Sequence, residues 1–151
     1  MRIIYISAVC DPQKYDMTDS PFLKQGHAIQ KFHYLLLKGL IANGNAETPV
    51  MVDALSSIPP LNENRLFEKQ TPFVSNKLRI NYLLSSRFST VRQILAGIGA
   101  FLHVVACPHP TAIIIDALKV SASIGAILAA RIRRVPCVGI VTDLPEDLDM
   151  Y

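Results

Sequence analysis

The sequence PCVGIVTDLPEDLDMY, residues Pro136–Tyr151, is the stretch from which the fold can be worked out. Val138–Val141 predict a buried β-strand, and Thr142–Pro145 predict the loop that leaves its carboxyl end. In open α/β sheets, ligands bind at the carboxyl ends of the strands. We therefore expect chemistry close to the point where the sequence stops. We also expect the chain to be the first domain of a larger protein whose second domain follows.

Upstream of that stretch, short apolar segments alternate with helical patterns. Strands are predicted over Arg2–Val9, Val50–Leu55, Arg79–Leu84, Ala112–Ile115 and Cys137–Val141, with a short edge strand over Phe67–Val74 that Pro72 interrupts. Helices are predicted over Gly26–Asn43, from a cap at Ser89 or Thr90 to Cys107, and over Ser121–Ile132. This alternation is typical of βαβ units, and it predicts an α/β fold with a parallel sheet flanked by helices.

Two of these helices carry apolar stripes that we expect to pack against the sheet. The stripe of the first helix contains Ile29, Phe32, Leu36 and Leu40, and Gly44 is expected to end that helix in the left-handed conformation. The stripe of the second contains Val91, Ile94, Leu95, Ile98, Leu102 and Val105. The apolar run around that second stripe is shorter than the roughly 20 residues of a membrane span, so a buried core helix is predicted.

Composition limits the classes of protein to which the chain can belong. Of its 151 residues, 50% are hydrophobic and 18% charged, which suits a sheet covered on both faces or a domain that lacks a partner on one face. A net charge of +3 is too small to indicate a nucleic-acid-binding protein. The three cysteines are scattered, which favours reduced thiols in a cytoplasmic protein.

Common nucleotide and metal motifs are absent or misplaced. The Gly97-Ile98-Gly99 triplet lies inside a predicted helix, where a close helix contact is a better interpretation than a dinucleotide site. The sequence contains no GxxxxGK[ST] phosphate loop. Cys107-Pro108-His109-Pro110 offers two metal ligands, too few for a closed zinc site, so a stiff turn is predicted and no metal is expected.

Three segments together resemble the N-terminal domain of GT-B glycosyltransferases of the retaining family 4. They are the opening MRIIYISAV with its long following loop, the segment GHAIQKFHYLLLKGLIANG, and VPCVGIVTDLP at Val135–Pro145. In the second segment, Leu36, Leu40 and Gly44 match a Leu-x-x-x-Leu-x-x-x-Gly helix ending. The resemblance implies a Rossmann-like domain that binds the acceptor, across a cleft from a domain that binds a nucleotide sugar.

The resemblance also implies which residues form the site. The loop Cys10–Gln25, with Gly26 and His27, falls where the family contacts acceptor and donor phosphate, and a helix N-terminus suits an anion. Asp143 is implied as the catalytic residue, and Thr142 stands where many relatives have a histidine. Asp11 and Asp116 would lie at neighbouring strand ends. The donor domain and its Glu-x7-Glu motif are absent from the sequence, so the resemblance implies that this chain alone does not transfer sugar.

Simpler roles remain open for these residues. His27 can be a solvated residue, and Asp116 can cap the loop before Ser121. Asp143 can cap the turn that follows it, while His33 and His103 are assigned to packing or to the surface. The cluster Arg131, Arg133 and Arg134 is either a solvated helix end or a contact with anionic lipid, which would make the protein peripheral to a membrane.

The functional expectation is therefore transfer of a sugar from a nucleotide-sugar donor to a saccharide or lipid-linked acceptor, without a bound cofactor or nucleic acid. Two alternatives stay open at this point. One is another enzyme half of the same architecture, such as a sugar-nucleotide epimerase. The other is a non-catalytic α/β interaction domain that acts alone.

Overall fold

The computed structural model describes residues 1–11, 27–44, 48–58 and 65–141. Its helices are α1 (His27–Ala42), α2 (Ser89–Ala106) and α3 (Val120–Arg133). Its strands are β1 (Arg2–Ser7), β2 (Met51–Ser56), β3 (Phe67–Glu68), β4 (Phe73–Ser75), β5 (Leu78–Tyr82), β6 (Ser85–Ser86), β7 (Ala112–Asp116) and β8 (Cys137–Ile140). The predicted α/β class is confirmed, with a six-stranded, mostly parallel sheet flanked by helices.

Strand order within the described residues is β4-β5-β2-β1-β7-β8, and β3 and β6 form a separate antiparallel pair. Five strands of the large sheet are parallel, and only the edge strand β4 is antiparallel to its neighbour. Numbering the five parallel strands along the chain gives the spatial order 3-2-1-4-5. This is the order of doubly wound sheets, so the fold is compatible with a Rossmann-like domain.

Small differences from the predicted elements have local causes. The stretch predicted as one edge strand over Phe67–Val74 forms β3 and β4 instead, because Pro72 cannot donate to a ladder. The predicted cap of α2 is wrong: Phe88 is the N-cap residue and no side chain caps the helix. Gly44 is not left-handed either; a Cβ there would lie 2.9 Å from Val50 Cγ2, so close approach explains the glycine.

Each face of the sheet has its own core. On one face, Tyr5, Val52 and Ile80 pack under α1 with Leu37. On the other, Ile4, Ile6 and Ile113 pack under α2 and α3 against alanines. Helices therefore pack on both faces of the sheet, which is one of the two arrangements that the apolar composition allows. The predicted burial of the last strand is wrong, because Cys137, Val138 and Gly139 of the edge strand β8 are exposed.

Helix α1 is rotated relative to its predicted stripe. Gln30, His33 and Leu37 are buried against the sheet, whereas Phe32 is exposed. Leu36 and Leu40 are only partly buried at the margin of this core. The rotation follows from His33, whose imidazole contacts polar groups of the sheet.

Helix α2 is also rotated, and the predicted burial of its large side chains is wrong. The residues that α2 buries are Ala96, Ala100 and Val104, while Ile94, Ile98 and Leu102 are more than half exposed. The cause is the close crossing of α2 and α3: a Cβ on Gly125 would lie 2.0 Å from the Gly97 carbonyl oxygen. The predicted close helix contact at Gly97 is confirmed, and only small residues fit on the inner face.

Candidate functional site

The carboxyl ends of four neighbouring strands form one edge of the sheet. Strand register places Ser7 of β1 beside Ser56 of β2, and Ser56 beside Tyr82 of β5. On the other side of β1, Ile6 pairs with Ile115, so Asp116 follows at the level of Ser7. Polar side chains thus end four adjacent strands, at the edge where α/β proteins bind ligands.

The gap between β1 and β7 is the topological switch point of the sheet. From β1 the chain continues to β2 on one side, whereas β7 and β8 extend the sheet on the other side. The helices that follow the two strands, α1 and α3, pack on opposite faces of the sheet. In doubly wound folds, ligands bind outside the carboxyl ends of the strands at such a point. Asp116 is the last residue of β7 and lies at this point.

A buried chain of three polar side chains spans the switch point. The Tyr5 hydroxyl lies 2.5 Å from His33 Nδ1, and His33 Nε2 lies 3.2 Å from Asp116 Oδ2. All three side chains are essentially inaccessible to solvent. His33 Nε2 and Asp116 Oδ2 are close enough for an ion pair, but their geometry is not that of a hydrogen bond. Neither atom has a hydrogen-bond partner among the described residues.

The electrostatics of this cluster keep Asp116 ionised. Burial raises the pKa of Asp116, but the His33 imidazole, the Leu118 N–H and the Lys119 charge outweigh it and hold that pKa below its usual range. The Leu118 N–H donates to Asp116 Oδ1 at 3.0 Å, and the Ser123 hydroxyl donates to the Asp116 carbonyl at 2.9 Å. Burial, with the nearby Asp116 charge, raises the pKa of Tyr5, so the phenol stays protonated.

Further polar atoms at this edge are buried without a hydrogen-bond partner among the described residues. They belong to Gln30 in the first turns of α1 and to Ser56 at the end of β2. An unsatisfied buried polar atom costs about 1–3 kcal/mol, so such atoms concentrate where a structure serves a function. Together with His33 and Asp116 they form what we call the edge cluster: Gln30, His33, Ser56 and Asp116.

A second polar contact lies at the end of β5. The Asp11 N–H donates to the Tyr82 hydroxyl at 3.0 Å, which lies 3.9 Å from the Cys10 sulfur. Burial raises the pKa of Tyr82, and Cys10 raises it further. Asp11 is thereby held close to the sheet edge, just before residues 12–26.

The structure places only some of the predicted site residues. Asp116 and Asp11 are at the carboxyl edge as expected, and Asp116 also caps its own turn. His27 is the first residue of α1, and its side chain is not described. Gly26, Thr142 and Asp143 lie outside the described residues.

Sequence reasoning missed the pairing of His33 and Gln30 with the sheet. The available signal was their spacing, since i and i+3 residues share a helix face and two polar residues on an inner face need partners. Those partners are distant in sequence and could not be identified from α1 alone.

Two other regions of the described structure have some features of a site. A groove of about 460 Å³ runs between α2 and α3, lined by Ile94, Ile98, Ile124 and Leu128 with few polar groups. Within the described part of the chain, no group of three or more His, Cys, Asp or Glu side chains could hold a metal ion. Cys107-Pro108-His109-Pro110 forms the turn between α2 and β7, and carbonyls near it accept hydrogen bonds from Arg133.

Comparison of the chain with family models, with curated proteins and with solved structures finds no match.

Proposed function

We propose that this domain is the acceptor-side half of a glycosyltransferase that uses a nucleotide-sugar donor. The observation that carries the proposal is the parallel strand order 3-2-1-4-5 with an ionised, buried Asp116 at its switch point. Doubly wound domains of this order bind phosphorylated or sugar-containing ligands at that point. The likeness of three sequence segments to family 4 enzymes supports the same conclusion.

In this proposal the edge cluster is the floor of the acceptor site. His33 holds Asp116, and Asp116 fixes the turn at Leu118 and Lys119, so the end of β7 is rigid. His27, the first residue of α1, and Gly26, which precedes it in the sequence, supply N–H groups to a phosphate. Asp143 orients or deprotonates the acceptor hydroxyl, with Thr142 next to it in the sequence and Asp11 in the segment that follows β1.

Transfer activity of the complete gene product tests the proposal. The protein is incubated with membranes of its own cells and with labelled UDP-glucose, UDP-galactose, UDP-N-acetylglucosamine and GDP-mannose, and label in lipid and polysaccharide is counted. We expect one donor to give label, and Asp143→Asn to reduce it by about 100-fold or more, as loss of a general base does.

Asp147→Asn is the matched control, because it removes an acid from the same segment of sequence. It should leave transfer within about twofold of the parent. Absence of transfer from all four donors would overturn the proposal, as would release of an epimerised free nucleotide sugar. Equal activity of the parent and the Asp143→Asn variant would remove Asp143 from the catalytic role.

A further inference from the structure

The outer face of α2 and α3 carries two continuous aliphatic stripes. On each helix, branched aliphatic side chains recur about every fourth residue and are exposed: Ile94, Ile98, Leu102 and Val105 on α2, and Val120, Ile124, Leu128 and Ile132 on α3. Exposed patches of this extent mark interaction surfaces. We call these eight residues the aliphatic face.

The two stripes form one surface because the helices approach closely. Gly97 of α2 packs against Ser121 near the start of α3, and Arg133 at the end of α3 donates to the Val104 and Val105 carbonyls at the end of α2. The two helices therefore run in the same direction. Their contact at Gly97 and Gly125 brings Ile98 and Ile124 to the two sides of one groove. Because small residues occupy the buried sides of both helices, the large aliphatic residues lie on the exposed side and form one apolar surface.

Among the residues that the structure describes, the exposed charged side chains on and next to these two helices are cations. Neither helix contains Asp or Glu, and the sequence has no acidic residue between Glu68 and Asp116 or between Asp116 and Asp143. The cations near the helix ends are Arg87, Arg92, Lys119, Arg131, Arg133 and Arg134. Arg133 donates to carbonyls at the end of α2, whereas Arg87, Arg131 and Arg134 are exposed.

We propose that the aliphatic face docks onto the surface of an anionic lipid bilayer. Aliphatic side chains would enter the acyl boundary while the surrounding Arg and Lys side chains contact lipid phosphates, the arrangement that holds interfacial helices. By length and composition alone, α2 is apolar enough to cross a membrane. It instead lies flat on the sheet through Ala96, Ala100 and Val104, so it meets the bilayer sideways.

Charge and polarity favour a bilayer over other occupants. A second copy of the chain would bring the same cations against this face, and like charges repel. A protein partner makes about one hydrogen bond per 100–200 Å², and the groove offers few polar groups besides Thr90, Gln93 and Ser121. A bilayer needs only apolar area and cations.

Vesicle co-sedimentation tests the inference without any sugar donor or acceptor, so its failure is separate from failure of sugar transfer. The chain is mixed with vesicles of phosphatidylglycerol and phosphatidylcholine, or of phosphatidylcholine alone. We expect binding to the anionic vesicles that weakens in 0.5 M salt. Arg131→Gln should weaken it about fivefold, since each basic residue near such a surface contributes about 1 kcal/mol.

A matched pair of substitutions locates the contact. Leu102→Gln with Leu128→Gln changes two leucines that are 57% and 51% exposed on the aliphatic face, whereas Leu35→Gln changes one that is 56% exposed on α1. The double variant should bind anionic vesicles at least about 10-fold more weakly, and Leu35→Gln should bind within about twofold of the parent. Thermal midpoints of all variants should match, because the altered side chains are exposed.

Three results would overturn the inference. The first is a chain that stays in the supernatant with anionic vesicles, and the second is equal loss of binding in the α1 variant. The third is a dimer in light scattering that the double variant converts to monomer, which would assign the face to a second copy.

Discussion

The two faces of the sheet are packed by opposite means. Under α1, polar groups hold the helix: His33 bridges Tyr5 and Asp116 while the phenol and carboxylate are buried. Under α2 and α3, glycine and alanine allow close contact between the two helices, and large aliphatic side chains are exposed on their outer side. The buried polar groups under α1 lie at the carboxyl edge of the sheet, where we propose that the acceptor binds, whereas α2 and α3 expose the apolar surface that we propose docks onto lipid.

The largest loss of stability is expected for a substitution at the contact between α2 and α3. In Gly125→Ala the new Cβ would lie 2.0 Å from the Gly97 carbonyl oxygen, a backbone atom that cannot rotate away. The helices must separate, and we expect the free energy of unfolding to fall by about 3 kcal/mol. Urea denaturation followed by circular dichroism measures this.

Gly39→Ala is the control for that substitution. Gly39 lies in α1, and a Cβ there would meet no atom within 4 Å. Alanine should raise the free energy of unfolding by about 0.5–1 kcal/mol, because it restricts the unfolded chain and favours the helix. A loss of stability in Gly39→Ala similar to that in Gly125→Ala would show that the close contact of α2 with α3 is not what makes Gly125 sensitive to substitution.

Substitution of a buried polar group under α1 is expected to lower the free energy of unfolding slightly less than Gly125→Ala does. Asp116→Asn removes the buried carboxylate charge that lies 3.2 Å from His33 Nε2. We expect the free energy of unfolding to fall by about 2–3 kcal/mol in urea denaturation at pH 7. Asp53→Asn, in a partly exposed pair with Arg2 at 2.7 Å, should cost about 1 kcal/mol or less. Equal losses of unfolding free energy in Asp116→Asn and Asp53→Asn would mean that the buried contacts of Tyr5, His33 and Asp116 stabilise the fold no more than a partly exposed ion pair does.

Stability should also depend on pH through Asp116. Its pKa is lower in the folded protein than in the unfolded chain, so the ionised carboxylate stabilises the fold fully above the ordinary aspartate pKa of about 3.9. That contribution is lost as pH falls through this value towards the lower folded pKa. Between pH 5 and pH 3 the parent should therefore lose more stability than Asp116→Asn; parallel losses in urea titrations would contradict the assignment.

Sequence patterns were sufficient for the order and type of the main elements, because alternation of short apolar strands and helices has few solutions. They failed on the rotation of α1 and α2. Both helices are apolar over much of their circumference, so periodicity does not single out one face. The rotation is instead set by contacts between distant residues, Gly97 with Gly125 and His33 with Asp116.

For the candidate site, the sequence placed Asp116 and Asp11 at strand ends correctly, since a residue that follows a parallel strand must lie at the carboxyl edge. It could not find the edge cluster, because His33 meets Tyr5 and Asp116 only once the sheet has formed. The roles of Gly26, His27, Thr142 and Asp143 stay predictions that depend on the resemblance.

Mapping by NMR tests most directly our proposal that ligands bind at the carboxyl edge of the sheet. The ¹⁵N-labelled chain is titrated with detergent micelles that contain total lipid extract from its own cells, against micelles that contain the same amount of phosphatidylglycerol, so that shifts from general contact with anionic lipid cancel. The account predicts that amide shifts specific to the extract fall on Ser7–Asp11 and Asp116–Lys119, at the carboxyl ends of β1 and β7. Shifts confined to the opposite edge, around Val50, Thr111 and Pro136, or no specific shifts at all, would contradict it.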